Sequence, residues 1–140
     1  MTSSATMEKL KVMKMYGMVN AFKATLEAGF KKNFTPDEFI AYLVDTEWDD
    51  RNHRKIQKLI KQAKFKISAV MEQLDFSIPR NLEKNMIMRF SDLSWITKKQ
   101  NIILTGPTGS GKSFVACALG HQACIYGRTV MYENTQKLFH

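Results

Sequence analysis

Eight consecutive residues restrict this chain more than any other feature. Gly106-Pro107-Thr108-Gly109-Ser110-Gly111-Lys112-Ser113 follows the pattern of glycine, four residues, then Gly-Lys-Ser/Thr, the Walker A or P-loop pattern. Each residue type has a physical task there. Glycines admit backbone conformations that side chains forbid, so successive N–H groups can converge on phosphate oxygens. Lys112 would set a cation against the β- and γ-phosphates. The Ser113 hydroxyl would be a ligand of the Mg²⁺ that bridges them, and a following helix would aim its positive end at the same anion.

The flanking sequence supplies the context such a loop requires. Asn101-Ile102-Ile103-Leu104-Thr105 is a short apolar run rich in β-branched residues, as a buried parallel strand should be. Ser113 to Tyr126 reads as a helix with Gly127 as its C-terminal cap. Thr129-Val130-Met131-Tyr132 reads as a second strand. Strand, glycine loop, helix and strand predict an α/β fold: the start of a P-loop nucleotide-binding core built on a parallel sheet.

The rest of the chain is predicted to be helical. Residues 7–28 carry Leu10, Met13, Met18, Phe22 and Leu26 at helical spacing, with Gly29 to end the run. The methionines there read as core filling. Thr35-Pro36-Asp37-Glu38 is a helix start: Thr35 caps, Pro36 suits the first helical position, and Glu38 can close a capping box. No Gly or Pro interrupts Asp37 to Phe65, which predicts one long helix or two nearly continuous ones. Residues 67–100 read as a connector with short helices over Leu82–Phe90 and Ser91–Gln100. Phe76, Ile78 and Trp95 are candidates for touching a nucleotide base, with anchoring of the connector to the core as their likelier role. The predicted organisation is a helical N-terminal domain over 1–66, a linker over 67–100 and the beginning of a nucleotide-binding core over 101–140.

Charge is distributed unevenly. The net charge is +8. Residues 1–50 hold six Lys against eight Asp or Glu, whereas Arg51 to Lys66 holds seven basic residues and no acid. Arg51, Arg54, Lys55, Lys58 and Lys61 project from the side of the helix opposite Ile56, Leu59, Ile60 and Ala63. One face is apolar and the other uniformly cationic, which predicts contact with the phosphates of duplex DNA, sensitive to salt and weak in sequence preference. A merely solvated face is the competing reading.

Other function classes find little support. Cys117 and Cys124 lie about 10 Å apart on the predicted helix, too far for a disulfide. With His121 they share a helix face, but three ligands on one helix lack chelating geometry and a fourth partner, so no metal site is expected of them. His53 reads as a surface residue. No apolar stretch approaches a membrane span and the N-terminus has no apolar signal core, which together predict a cytoplasmic protein without membrane contact.

The chain resembles the IstB-type transposition-helper ATPases of bacterial insertion sequences, which are similar to the DnaC-type helicase loaders of the AAA+ class. The resemblance rests on the loop and on Ala116-Cys117-Ala118-Leu119-Gly120-His121-Gln122-Ala123-Cys124 after it. Upstream it rests on Tyr16-Gly17-Met18, Leu43-Val44-Asp45-Thr46-Glu47-Trp48, the basic run, Leu74-Asp75-Phe76, Pro79-Arg80-Asn81-Leu82 and Trp95-Ile96. It implies an ATP- and Mg²⁺-binding helper that binds DNA, assembles on it as a homo-oligomer and stimulates a transposase. Gly106, Gly109, Gly111, Lys112 and Ser113 match the family's phosphate-binding positions. The family's acidic strand end (Walker B), sensor residue and arginine finger have no counterpart after Ser113, so the chain reads as a truncated copy able at most to bind nucleotide. In this fold class the first two strands are not neighbours, and unpaired edges are expected. Three alternatives remain: a DNA- or partner-binding module with a vestigial loop, a helicase-loader-type ATPase, and a small-molecule kinase. The long basic preface argues against the kinase.

Overall fold

A computed structural model describes residues 2–29, 33–77, 83–107, 109 and 111–135. The chain divides into two compact units, residues 1–55 and 56–140, and the division falls inside one helix.

In the first unit, α1 (Ser3–Val12) and α2 (Tyr16–Ala28) replace the single helix expected over 7–28. Thr2 caps α1, accepting from the Ala5 N–H at 3.1 Å. The break falls at Lys14, which adopts a left-handed φ of 60°. Helical spacing of apolar residues continues across this turn, so periodicity alone could not locate it. Next comes α3 (Pro36–Ala63), one uninterrupted helix of 28 residues, as the absence of Gly and Pro predicts. Its start is fixed by Thr35, whose hydroxyl accepts from the Glu38 N–H at 3.2 Å and donates to the Glu38 carboxylate at 3.1 Å.

Where α2 begins, it lies against α3 with no room for a side chain. A Cβ on Gly17 would stand 2.8 Å from the Glu47 Cα and from the Thr46 carbonyl oxygen. Glycine is required there by close approach of two backbones.

The second unit carries a 3₁₀ turn (Met71–Gln73), α4 (Lys84–Phe90), α5 (Ser94–Thr97) and α6 (Lys112–Ile125). α6 is apolar nearly all round, as a central helix should be, and it buries Val115, Cys117, Ala118, Leu119, Ala123 and Cys124. Ala69, Met71, Leu74 and Ile87 complete the core around it. Ring packing explains one residue of α6. A Cβ on Gly120 would lie 2.5 Å from the Phe65 ring, so the glycine leaves space for that ring on the helix. Past the end of α6, the Gly127 N–H bonds to the Cys124 carbonyl and the Arg128 N–H to the Ala123 carbonyl, both at 2.9 Å. Gly127 has a φ of 80°, which makes it the left-handed cap expected of it.

No strand is formed among the described residues, so the α/β sheet expected from the sequence is not present in them. A strand is defined by its ladder, and neither Asn101–Thr105 nor Thr129–Tyr132 has a neighbouring strand to pair with. Their side chains nonetheless alternate with the period of a strand. Ile102 and Leu104 pack on the core while Ile103 is 83 % exposed; Tyr132 packs inward while Met131 is 74 % exposed. The Tyr132 N–H bonds to the Ala63 carbonyl at the end of α3, at 2.9 Å, rather than to a strand.

Candidate functional site

The glycine-rich loop connects the extended segment 101–105 to the start of α6. Gly109 and Gly111 both take left-handed backbone angles, with φ of 83° and 90°. Any L side chain would be strained at either position. Gly111 is the N-cap of α6 and supplies no side-chain acceptor, so among the described residues no side-chain cap occupies the first N–H groups of the helix. An uncapped helix N-terminus preceded by left-handed glycines is an anion-binding geometry. Thr108 and Ser110 lie outside the described residues. Ser113 is exposed in the first turn of α6, where its hydroxyl is accessible.

Lys112 does not project freely. Its Nζ donates to the carbonyl oxygen of Gly106, six residues back, so the lysine side chain folds over the loop. Pro107 is exposed beside it.

An open groove of about 1000 Å³ runs from this loop to an apolar wall formed by Ile87, Phe90, Trp95 and Ile102. Its size is at the upper end for small-molecule sites, and its chemistry is divided: apolar at one end, loop backbone and Lys112 at the other. Trp95 is held in this wall by its indole N–H, which donates to the Phe90 carbonyl at 3.0 Å. Of the three aromatic or aliphatic candidates for base contact, Trp95 lines the groove, Phe76 packs against the core cluster, and Ile78 lies outside the described residues. At α5 the Asp92 carboxylate accepts from the Ser94 N–H at 2.9 Å, and that hydrogen bond holds its acidity above the usual.

No group of three or more His, Cys, Asp or Glu suited to a metal occurs among the described residues. Cys117 and Cys124 are fully buried, and burial pushes the Cys124 thiol up. His121 is half-buried, with its Nδ1 unpartnered.

The five basic candidates on α3 fall into two groups. Arg51 Nε lies 2.6 Å from the Glu47 carboxylate. Arg54 Nη2 is 2.9 Å from Asp50 Oδ2 and 3.7 Å from Glu47 Oε2, and its guanidinium sits 5.4 Å over the Tyr16 ring. The Asp50 contact is close but not aligned as a hydrogen bond, so its attraction is mainly charge on charge. Lys55, Lys58 and Lys61 are exposed and have no ion pair among the described residues. The cationic face therefore has two arginines already engaged by carboxylates and three lysines without an ion pair among the described residues.

Glu47 is the residue that charge counting passed over. It is buried, and its Oε1 accepts from the Gly17 N–H at 2.9 Å and the Met18 N–H at 3.2 Å. A carboxylate from α3 thus caps α2, the end where the helix dipole favours negative charge. Burial, the largest single influence, opposes its ionisation. The Arg51 hydrogen bond, the two backbone N–H groups and the Arg51 charge together outweigh burial and hold the carboxyl below the ordinary glutamate range. The signal available in the sequence was Gly17 itself, a glycine inside a helical pattern, which usually has a packing reason.

Comparison with known proteins gives the family. The family described as IstB-like ATP binding protein matches residues 8–140. An insertion sequence ATP-binding protein of Sinorhizobium fredii is 34 % identical over 139 residues, covering 99 % of this chain and 57 % of the relative. The insertion sequence IS1162 ATP-binding protein of Pseudomonas fluorescens is 38 % identical over 141 residues, covering 99 % of this chain and 60 % of the relative. The insertion sequence IS21 ATP-binding protein of Pseudomonas aeruginosa is 29 % identical over 129 residues. The chain spans somewhat over half the length of these first two relatives. No helix among the described residues is long and apolar enough to cross a membrane. By a family match over almost its whole length, the chain belongs to the IstB-like ATP-binding proteins.

Proposed function

We propose that this chain binds ATP with Mg²⁺ at residues 106–113 and serves as a helper of insertion-sequence transposition, holding duplex DNA and assisting a transposase. The observation that carries the nucleotide part is the uncapped N-terminus of α6, preceded by two left-handed glycines and flanked by Lys112. In this reading the phosphates lie on the first N–H groups of α6, and Lys112 moves from the Gly106 carbonyl to the β- and γ-phosphates. Ser113 supplies the one protein oxygen for Mg²⁺, and the base rests against the apolar wall that contains Trp95. No Asp or Glu is among the described residues that line the groove, so binding without turnover is proposed for this chain.

The sheet belongs to the same proposal. Residues 101–105 and 129–132 alternate inward and outward side chains, which supports their pairing with further strands in longer relatives. Longer forms of the family would then carry an α/β core and assemble as homo-oligomers in the cytoplasm.

The test is calorimetric titration with Mg-ATP. Wild type is expected to bind, and Lys112→Ala to bind at least about tenfold more weakly through loss of a charge-assisted contact. Equal heats for both proteins would remove the phosphate site. Sustained release of phosphate over many turnovers would refute binding without turnover. The second reading, a DNA- or partner-binding module with a vestigial loop, is favoured by the bond Lys112 makes to its own loop. It predicts no Mg-ATP heat and DNA affinity that Lys112→Ala leaves unchanged.

A further inference from the structure

The second unit holds a smaller cavity, of about 270 Å³, formed by the 3₁₀ turn, α4 and α6. Its inner wall is apolar: Met71 and Leu74 are core residues, and Phe76 packs against the same core. Met88 of α4 adds a second thioether to the lining. The Gln122 side-chain amide of α6 donates to the Ser91 carbonyl at 3.1 Å, which ties the turn after α4 to α6 and holds the two sides of the cavity together. The volume is just below the usual range for small-molecule sites, with room for a ligand of on the order of ten non-hydrogen atoms.

Two charges of opposite sign open onto this apolar space. Lys84 and Glu72 both line the cavity and both are exposed. Neither has an ion pair among the described residues, and they do not pair with each other. The Lys84 ammonium lies 6.0 Å from the centre of the Phe76 ring, which keeps the cation over the apolar lining. A ligand with no charge would take water from both groups and return nothing. An anion without a cation would set its charge against Glu72, and a cation alone would set its charge against Lys84. A zwitterion with an apolar substituent answers both. We propose that this cavity binds a free α-amino acid with a large apolar side chain, of which phenylalanine is the type. Its carboxylate lies toward Lys84 and its ammonium toward Glu72. Its ring rests on Leu74 and Phe76, with the polarisable sulfurs of Met71 and Met88 at its edge. The site shares no residue with 106–113, so it stands apart from the nucleotide reading.

Ligand-observed saturation-transfer NMR on the full 140-residue chain tests this, with L-phenylalanine, 3-phenylpropionate, phenethylamine and glycine as probes. Phenylalanine is expected to bind with a dissociation constant on the order of 1 mM, the scale for a ligand of this size. Each aromatic probe with a single charge should bind about two- to fivefold more weakly, the range for one exposed ion pair. Glycine, which has the charged head and no ring, should give no signal. Lys84→Met keeps the apolar stem and should lower phenylalanine to the affinity of phenethylamine. Glu72→Gln should lower it to that of 3-phenylpropionate. Both positions are exposed, so circular dichroism should be unchanged in the two variants. No phenylalanine signal up to about 10 mM would overturn the proposal. So would equal affinity for the three aromatic probes, which reduces the cavity to an apolar patch. Undiminished phenylalanine binding in both variants would overturn it too, by moving the ligand elsewhere.

Discussion

Glu47 and Gly17 act as one device, and each explains the other. The carboxylate can reach the first N–H groups of α2 only because residue 17 has no side chain to hold the helices apart. Glu47→Gln keeps the shape but loses the charge, and should destabilise the first unit by about 1.5–3 kcal/mol, the range for hydrogen bonds to a charged group. The pH dependence has a definite sign. Because the folded-state acidity of Glu47 is raised, the unfolded chain takes up its proton first, and stability rises with pH in that window. The Glu47 contribution is complete above the unfolded value of about 4.3 and is lost as pH falls through the lower folded value. Denaturant melts at pH 7 and at about pH 3.5 should therefore separate wild type from Glu47→Gln more at the higher pH than at the lower. An equal separation at both would mean that the charge is not what matters. Gly17→Ala places a methyl against backbone atoms that cannot swing away, and overpacking of this kind costs about 1–3 kcal/mol.

Helix α3 shows what a helix pattern conveys and what it leaves out. Its start, its continuity and its basic half were legible, because capping chemistry, the absence of breakers and charge runs are written locally. The state of each charge was not, because ion pairing depends on which carboxylate the fold brings near. Arg51 and Arg54 look like Lys58 in a charge count, yet they already face Glu47 and Asp50. If duplex DNA is held by this face, the free lysines should carry most of the counterion release. Replacing Lys55, Lys58 and Lys61 by Ala should reduce affinity and shallow the dependence of log affinity on log salt by about 0.9 per lysine. Arg51→Ala and Arg54→Ala should change that slope less and lower thermal stability more. Fluorescence anisotropy with a labelled duplex at several salt concentrations measures both. A wild-type affinity indifferent to salt would exclude a phosphate-binding role.

At the scale of the molecule, helices were readable and the sheet was not observable from them. An amphipathic or buried helix satisfies its own backbone, so α3 and α6 form wherever their apolar residues find cover. A strand depends on a neighbour, and 101–105 and 129–132 retain a strand's alternation without a ladder. The carboxylate cap at Glu47 escaped sequence reading because it joins residues distant in the chain, and the turn at Lys14 escaped because apolar residues keep helical spacing across it. The start of α6 after Gly111 was legible nearly to the residue, since glycine, lysine and helix start are consecutive. Ile103 and Met131 leave large apolar side chains exposed beside unpaired backbone, an arrangement prone to association. Ile103→Thr with Met131→Gln should raise the protein concentration at which turbidity appears while moving stability by no more than about 0.5 kcal/mol; light scattering and thermal melts check the two. The bond from Lys112 to Gly106 also bears on how an anion would arrive at the proposed site. The ammonium is held over the loop through one of its three N–H donors, so a newcomer would meet a cation already placed instead of recruiting a wandering side chain.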